Sequence, residues 1–215
     1  MLAAAQVQAD AVDTPRHSLV VRITHWITAL CFFGLLISGI AILLAHPRLY
    51  WGETGAVGTP SLIDLPLPFV LTGQSGWGRS LHFLSAWVCV LAGAWYALAG
   101  LLSHHFRQDL LPGRQEKGPP TYGFLQRTAY SAVVFVLFPL VILSGLAMSP
   151  AITSVLPALV IVFGGQQSAR TIHFFLAASI VLFFAGHVTM VGLAGFTKTL
   201  RGMITGRPAA REGRP

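Results

Sequence analysis

"RTIHFFLAASIVLFFAGHV", residues 170–188, is apolar and long enough to cross a bilayer, yet it holds two imidazoles, His173 and His187, fourteen residues apart. At about 100° per residue, that interval turns about 1400°, about 40° short of four full circles, so both project from nearly one helix face. At about 1.5 Å per residue they sit roughly 21 Å apart along the axis, one toward each surface of a membrane. No single metal ion bridges that distance, so two sites are required. Ionisable groups inside a span are costly and mark functional positions by default.

The rest of the chain supplies the setting. Of its 215 residues, 54% are hydrophobic and 10% charged, whereas soluble domains carry about 25% charged residues. Trp26–Ala45, Leu81–Leu102, Ala129–Met148 and Thr171–Phe196 are each free of Asp, Glu, Lys and Arg. Each run has the ~20 residues needed to cross about 30 Å of hydrocarbon. Backbone groups in lipid must be satisfied internally, so these runs are helices. The expected fold is all-α, an integral membrane four-helix bundle. Its spans fall at about 19–45, 78–102, 129–149 and 170–196, within a domain covering 18–197.

The net charge of +7 points to the membrane rather than to nucleic acid, because of where it lies. Arg16, Arg22, Arg107, Arg114, Lys117, Arg127, Lys198, Arg201, Arg207, Arg211 and Arg214 fall on one side of the spans; Arg48, Arg79 and Arg170 fall on the other. The positive-inside rule then puts both termini and the loop between spans 2 and 3 in the cytoplasm of a multi-pass membrane protein. Residues 1–17 lack a basic start and an apolar core and read as a disordered cytoplasmic arm, not a signal peptide. Residues 198–215 read as a basic cytoplasmic tail. Cys31 and Cys89 fall within spans and read as small core residues. No C-x-x-C-H occurs, which excludes covalent c-type haem attachment.

The connection from His46 to Gly78 is long, rich in Gly and Pro, and carries Tyr50, Trp51, Phe69 and Trp77. Such aromatics suit either an interfacial belt or a docking surface. "AITSVLPALVIVF" after span 3 is too short to cross and reads as an interfacial or re-entrant piece. Pro139 is expected to kink span 3. A weak repeat pairs "LLISGIA" in span 1 with "VILSGLA" in span 3, and "GRSLHFLSA" in span 2 with "ARTIHFFLA" in span 4. Small residues at helix interfaces would also account for the Ser-Gly pairs.

His17, His46, His104 and His105 lie at or beyond helix ends, where an imidazole costs little. His25 and His82 lie within spans 1 and 2. Span 1 runs outward, so His25 matches the depth of His187; span 2 runs inward, so His82 matches His173. Zinc would want four ligands, and nothing acidic lies at these depths. Haem iron needs two axial ligands, and its porphyrin is apolar enough for a bundle core. Two bis-histidine b haems are therefore expected, His25/His187 on the cytoplasmic side and His82/His173 on the periplasmic side. Arg22, Arg79 and Arg170 each precede one of these histidines by three residues. They share its helix face one turn nearer water, where anionic haem propionates would project.

With these residues in place, the chain resembles the bacterial di-haem cytochrome b561 family, which includes the cytochrome b subunits of nickel hydrogenases and formate dehydrogenases. The resemblance runs from "RHSLVVRITHW" to "GHVTMV". It implies ligands at His25, His82, His173 and His187 in the same pairing. It also implies a membrane electron-transfer subunit working between a periplasmic redox partner and the quinone pool. That partner would be an oxidoreductase, of the molybdopterin type among others, or a cytochrome subunit. A quinone site near the cytoplasmic haem has polar candidates in His17, Gln126, Arg127 and Tyr130. Two alternatives stay open: an autonomous superoxide:ubiquinone oxidoreductase of the small cytochrome b561 type, and a haem-free anchor or transporter.

Overall fold

A computed structural model of the chain describes residues 18–55, 58–66, 75–103 and 128–206. The expected arm 1–17 with His17, the loop bearing His104, His105, Gln126 and Arg127, Phe69, and the tail beyond 206 lie outside the described residues. Four long helices dominate: α1 (Leu19–Ala45), α2 (Ser75–Leu102), α3 (Thr128–Ala147) and α6 (Gln166–Leu193). All four are long and apolar enough to cross a membrane. Two short helices, α4 (Pro150–Thr153) and α5 (Ala158–Val162), form the connection before α6. This is the apolar segment that was too short to span. A last helix, α7 (Phe196–Thr205), follows α6.

The side chains are arranged inside out. Leu30 and Leu182 are 76% and 75% exposed, whereas Ser38 and Ser144 are fully buried. Lipid tails are as apolar as leucine, so such an interior is held by close approach of small residues and by hydrogen bonds. α1 and α2 form one antiparallel hairpin in which Gly34 faces Ser85 and Gly78 faces Ala41. A Cβ at Gly34 would come 2.5 Å from Ser85 Oγ, so a larger residue there would force the serine hydroxyl to turn away. α3 and α6 form the second hairpin. Between the hairpins the backbones approach only sparsely, and side chains fill the gap, with Phe32 and Phe184 ring centroids 4.6 Å apart. Cys31 and Cys89 are free thiols, as expected of core residues.

Three boundaries differ from expectation, each for a local reason. α6 begins at Gln166 and α2 at Ser75 because polar residues beyond the hydrocarbon continue both helices. α6 stops at Leu193 because Gly195 takes φ 96, a left-handed conformation that breaks the helix. Residues expected in the fourth span's end and the tail form α7 instead. In α3 the disturbance from Pro139 appears as a π-turn at Val133–Leu137. Proline lacks an N–H and crowds the carbonyl four residues back, here Phe135, so the ladder widens there.

The long connection after α1 is built rather than loose. β1 (Arg48–Leu49) pairs antiparallel with β2 (Ile63–Asp64), and Arg48 Nε meets Asp64 Oδ2 at 3.1 Å on the surface. Tyr50 is buried, not part of an exposed belt, while Trp51 and Trp77 stay exposed. The Gly52 carbonyl accepts from the Gln167 and Ser168 amides at 3.0 and 3.3 Å. Ser168 Oγ accepts from the Gly52 amide at 2.7 Å, and Thr171 Oγ1 donates to the Tyr50 carbonyl at 2.6 Å. The orphan amides that begin α6 are thereby satisfied by the connection itself. A Cβ at Gly165 would collide with Gly52, so the docking also depends on glycine.

Candidate functional site

The bundle has two ends: a terminal face, where α1 begins and α6 finishes, and a loop face bearing β1 and β2. Antiparallel helices bring the four span histidines together as two pairs. At the loop face, His82 of α2 and His173 of α6 have ring centroids 6.2 Å apart. At the terminal face, His25 of α1 and His187 of α6 are 6.3 Å apart. An imidazole nitrogen lies about 2.0–2.1 Å from a first-row metal, with its ring centre roughly 1 Å behind it; a metal gripped from both sides sets ring centres about 6 Å apart. Both separations fit that span. No cluster of three or more His, Cys, Asp or Glu able to hold a bare ion occurs among the described residues. The donor chemistry therefore suits a group that brings its own equatorial ligands.

At the loop face the hydrogen bonds fix the histidine tautomers. Ser38 Oγ donates to the Gly34 carbonyl at 2.6 Å. With its one proton committed, it accepts from His82 Nδ1 at 2.9 Å. His173 Nδ1 lies 3.0 Å from the Val141 carbonyl, which can only accept, and 3.1 Å from Ser144 Oγ. Ser144 in turn donates to that same carbonyl at 3.0 Å. Both Nδ1 atoms therefore carry the proton, and each Nε2 keeps a bare lone pair, the state a metal needs. The Ser-Gly pairs of "LLISGIA" and "VILSGLA" thus have matching duties. Each serine holds a histidine, and each glycine leaves room for it: Cβ atoms at Gly39 and Gly145 would lie 3.8 and 3.4 Å from the Cε1 atoms of His82 and His173. The two serines are site residues that the histidine spacing alone does not reveal. The repeat was their signal.

The terminal face is built differently. His187 Nδ1 lies 3.3 Å from the Tyr130 hydroxyl, and its ring stacks on Phe183 with centroids 6.0 Å apart. Trp26 meets His25 edge-on at 5.3 Å. Tyr130, a quinone candidate by resemblance, here touches a span histidine.

The arginines meet no carboxylate among the described residues; the ion pair there joins Arg48 and Asp64. Arg22 Nε is buried and has no hydrogen-bond partner among the described residues, which leaves it open to an anionic group arriving beside His25. Arg79 and Arg170 converge on His46. Arg79 Nη2 lies 3.5 Å from His46 Nε2, and Arg170 donates to the His46 carbonyl. Partial burial, then the charges of Arg170 and Arg79, hold the His46 pKa below the ordinary imidazole range. His46 reads from the sequence as a helix-end residue, and folding makes it the centre of a basic cluster.

The profile of the prokaryotic cytochrome b561 family matches residues 16–206, and the chain belongs to that family. It is a membrane b-type cytochrome engaged in electron transfer, with haem b as the cofactor the family implies. A relative from Azospira oryzae bears the provisional name protein-methionine-sulfoxide reductase subunit YedZ1. It is 29% identical over 201 residues, covering 86% of this chain and 93% of its own length. No solved structure gives a significant match.

Proposed function

We propose that the protein holds two b haems, one per histidine pair, and carries electrons across the inner membrane between the quinone pool and a periplasmic oxidoreductase. The observation that carries this reading is the meeting of four span histidines as two pairs, one at each end of the bundle, with separations of 6.2 and 6.3 Å. His82 and His173 would ligate at the loop face, and His25 and His187 at the terminal face. Arg22, Arg79 and Arg170 would pair with propionates, which accords with their lack of carboxylate partners among the described residues. The group supplies reversible one-electron chemistry when bound. His25, His82, His173 and His187 would hold it through ring nitrogens, and two imidazoles per group would suit electron transfer rather than oxygen binding. Basic residues on the terminal side support cytoplasmic termini.

The name of the Azospira relative favours a protein-methionine-sulfoxide reductase as the partner class. Sulfoxide reduction consumes two electrons and two protons and releases water, so electrons would flow outward from quinol. Tyr130, beside His187, is the described residue best placed to border the quinone site. The proposal is tested by a reduced-minus-oxidised spectrum and a haem count on purified protein. About two haems b per chain are expected; one, or none, would overturn it. The second reading, superoxide oxidation, draws on the Arg79–His46–Arg170 cluster, which could attract an anion. Haem reduction by superoxide in the isolated protein distinguishes it.

A further inference from the structure

α7 has two faces. On a helical projection Phe196, Leu200, Met203 and Ile204 fall within about 100° of arc, and Arg201, Thr205 and Lys198 lie opposite within about 60°. Phe196 and Ile204 are 55% and 58% exposed, so half of the apolar face is uncovered by protein. The helix "FTKTLRGMIT" contains no Asp or Glu. Its position is fixed at both ends. It leaves α6 through the left-handed Gly195, just past the residue at which the membrane span ends. Its far end is tied to α1, where Trp26 Nε1 donates to the Met203 carbonyl at 3.3 Å. α7 therefore crosses the terminal face from one histidine-bearing helix to another, directly after the last helix long and apolar enough to span.

We propose that α7 is a surface-lying helix that binds anionic phospholipid. Lys198 and Arg201 take the headgroup phosphates, and Phe196 and Ile204 enter the acyl boundary beneath them. A helix with a strong apolar face and a basic opposite face lies in the interface in this way. The charge argues for an anionic rather than a zwitterionic surface, since each basic residue near such a surface strengthens binding about 5-fold. Through Met203 and Trp26, which packs edge-on against His25, the lipid would also brace the terminal-face pair.

The test uses the full chain in nanodiscs of phosphatidylcholine with or without phosphatidylglycerol. In a Cys31→Ala, Cys89→Ala background, an environment-sensitive fluorophore is placed at Ile204→Cys or Thr205→Cys. With phosphatidylglycerol present, the label at position 204 should shift to the blue and escape an aqueous quencher, while the label at 205 stays accessible. Lys198→Gln with Arg201→Gln should weaken retention of phosphatidylglycerol, counted by native mass spectrometry, about 10-fold or more. An unchanged helical circular-dichroism spectrum checks that the variant is folded. Equal quenching of the two labels would overturn the proposal. So would insertion indifferent to lipid charge, or undiminished lipid retention in the double variant.

Discussion

The two histidine pairs are alike in ring separation and unlike in what holds them. At the loop face each imidazole is gripped by a fully buried serine of the neighbouring helix, and His173 also by the Val141 carbonyl, through bonds of about 3 Å. At the terminal face the contacts include a longer 3.3 Å approach of His187 to a tyrosine hydroxyl and the faces and edges of aromatic rings. Hydrogen bonds to fixed acceptors select one tautomer and one ring orientation. Aromatic contacts fill space and restrain it less. The loop-face pair is therefore a rigid clamp, and on the terminal face the His187 ring is held by a longer bond. That suits a division in which one end meets a docked protein and the other exchanges with a mobile lipid-soluble carrier.

The largest expected effect is loss of a whole haem. Each single variant, His173→Ala or His187→Ala, should reduce a content of two haems per chain to about one, with the opposite end spared. A haem assay by alkaline pyridine on each variant decides this, and intact content in either would undo the pairing. Next, Ser38→Ala and Ser144→Ala should each weaken haem retention at the loop face about 10- to 100-fold, the range for lost outer partners of metal-binding histidines. Tyr130→Phe should cost the terminal face only about 0.5–1.5 kcal/mol, the worth of one ordinary hydrogen bond. Competition with a haem-scavenging apoprotein measures all three. Equal losses would erase the distinction between clamp and cushion.

A finer contrast lies within the loop-face pair. A methyl at Gly145 would stand 3.4 Å from His173 Cε1, at the tight edge of van der Waals contact, whereas one at Gly39 would stand 3.8 Å from His82 Cε1. Gly145→Ala should therefore alter the low-spin EPR signal of one haem, and Gly39→Ala should leave it unchanged. The smallest effect concerns pH. The His46 pKa is lowered by burial and by Arg170 and Arg79, so the fold favours the neutral ring. Stability from this source is complete above about pH 6.5, the ordinary imidazole value, and is lost as the pH falls through the lowered one. Melting of wild type and His46→Gln in detergent should diverge only on that acid limb. A propionate seated between Arg79 and Arg170 would offset part of their charge and narrow the divergence, so its size reports what occupies the loop face.

Much of the molecule was legible because a helix is periodic. Apolar runs mark spans, and fourteen residues return a side chain to nearly the same face. In antiparallel helices, distance from a helix end is depth, so His25 could be matched to His187, and His82 to His173, without coordinates. The charge pattern was legible for a similar reason: it depends on order along the chain alone. Tyr50, Ser38, Ser144 and His46 were not. Each looks like an interfacial aromatic, a small packing residue or a helix-end imidazole until its neighbour is known.

The sequence by itself determined the four membrane crossings and the depths of the four imidazoles, because both are properties of single helices. Only the tertiary structure decided that two buried serines hold the loop-face rings, that Tyr50 and Gly52 cap α6, and that α7 returns to Trp26. Those contacts depend on how far each helix is rotated and where it crosses its neighbour. A change of about 100°, one residue's turn, would direct the same side chain into lipid.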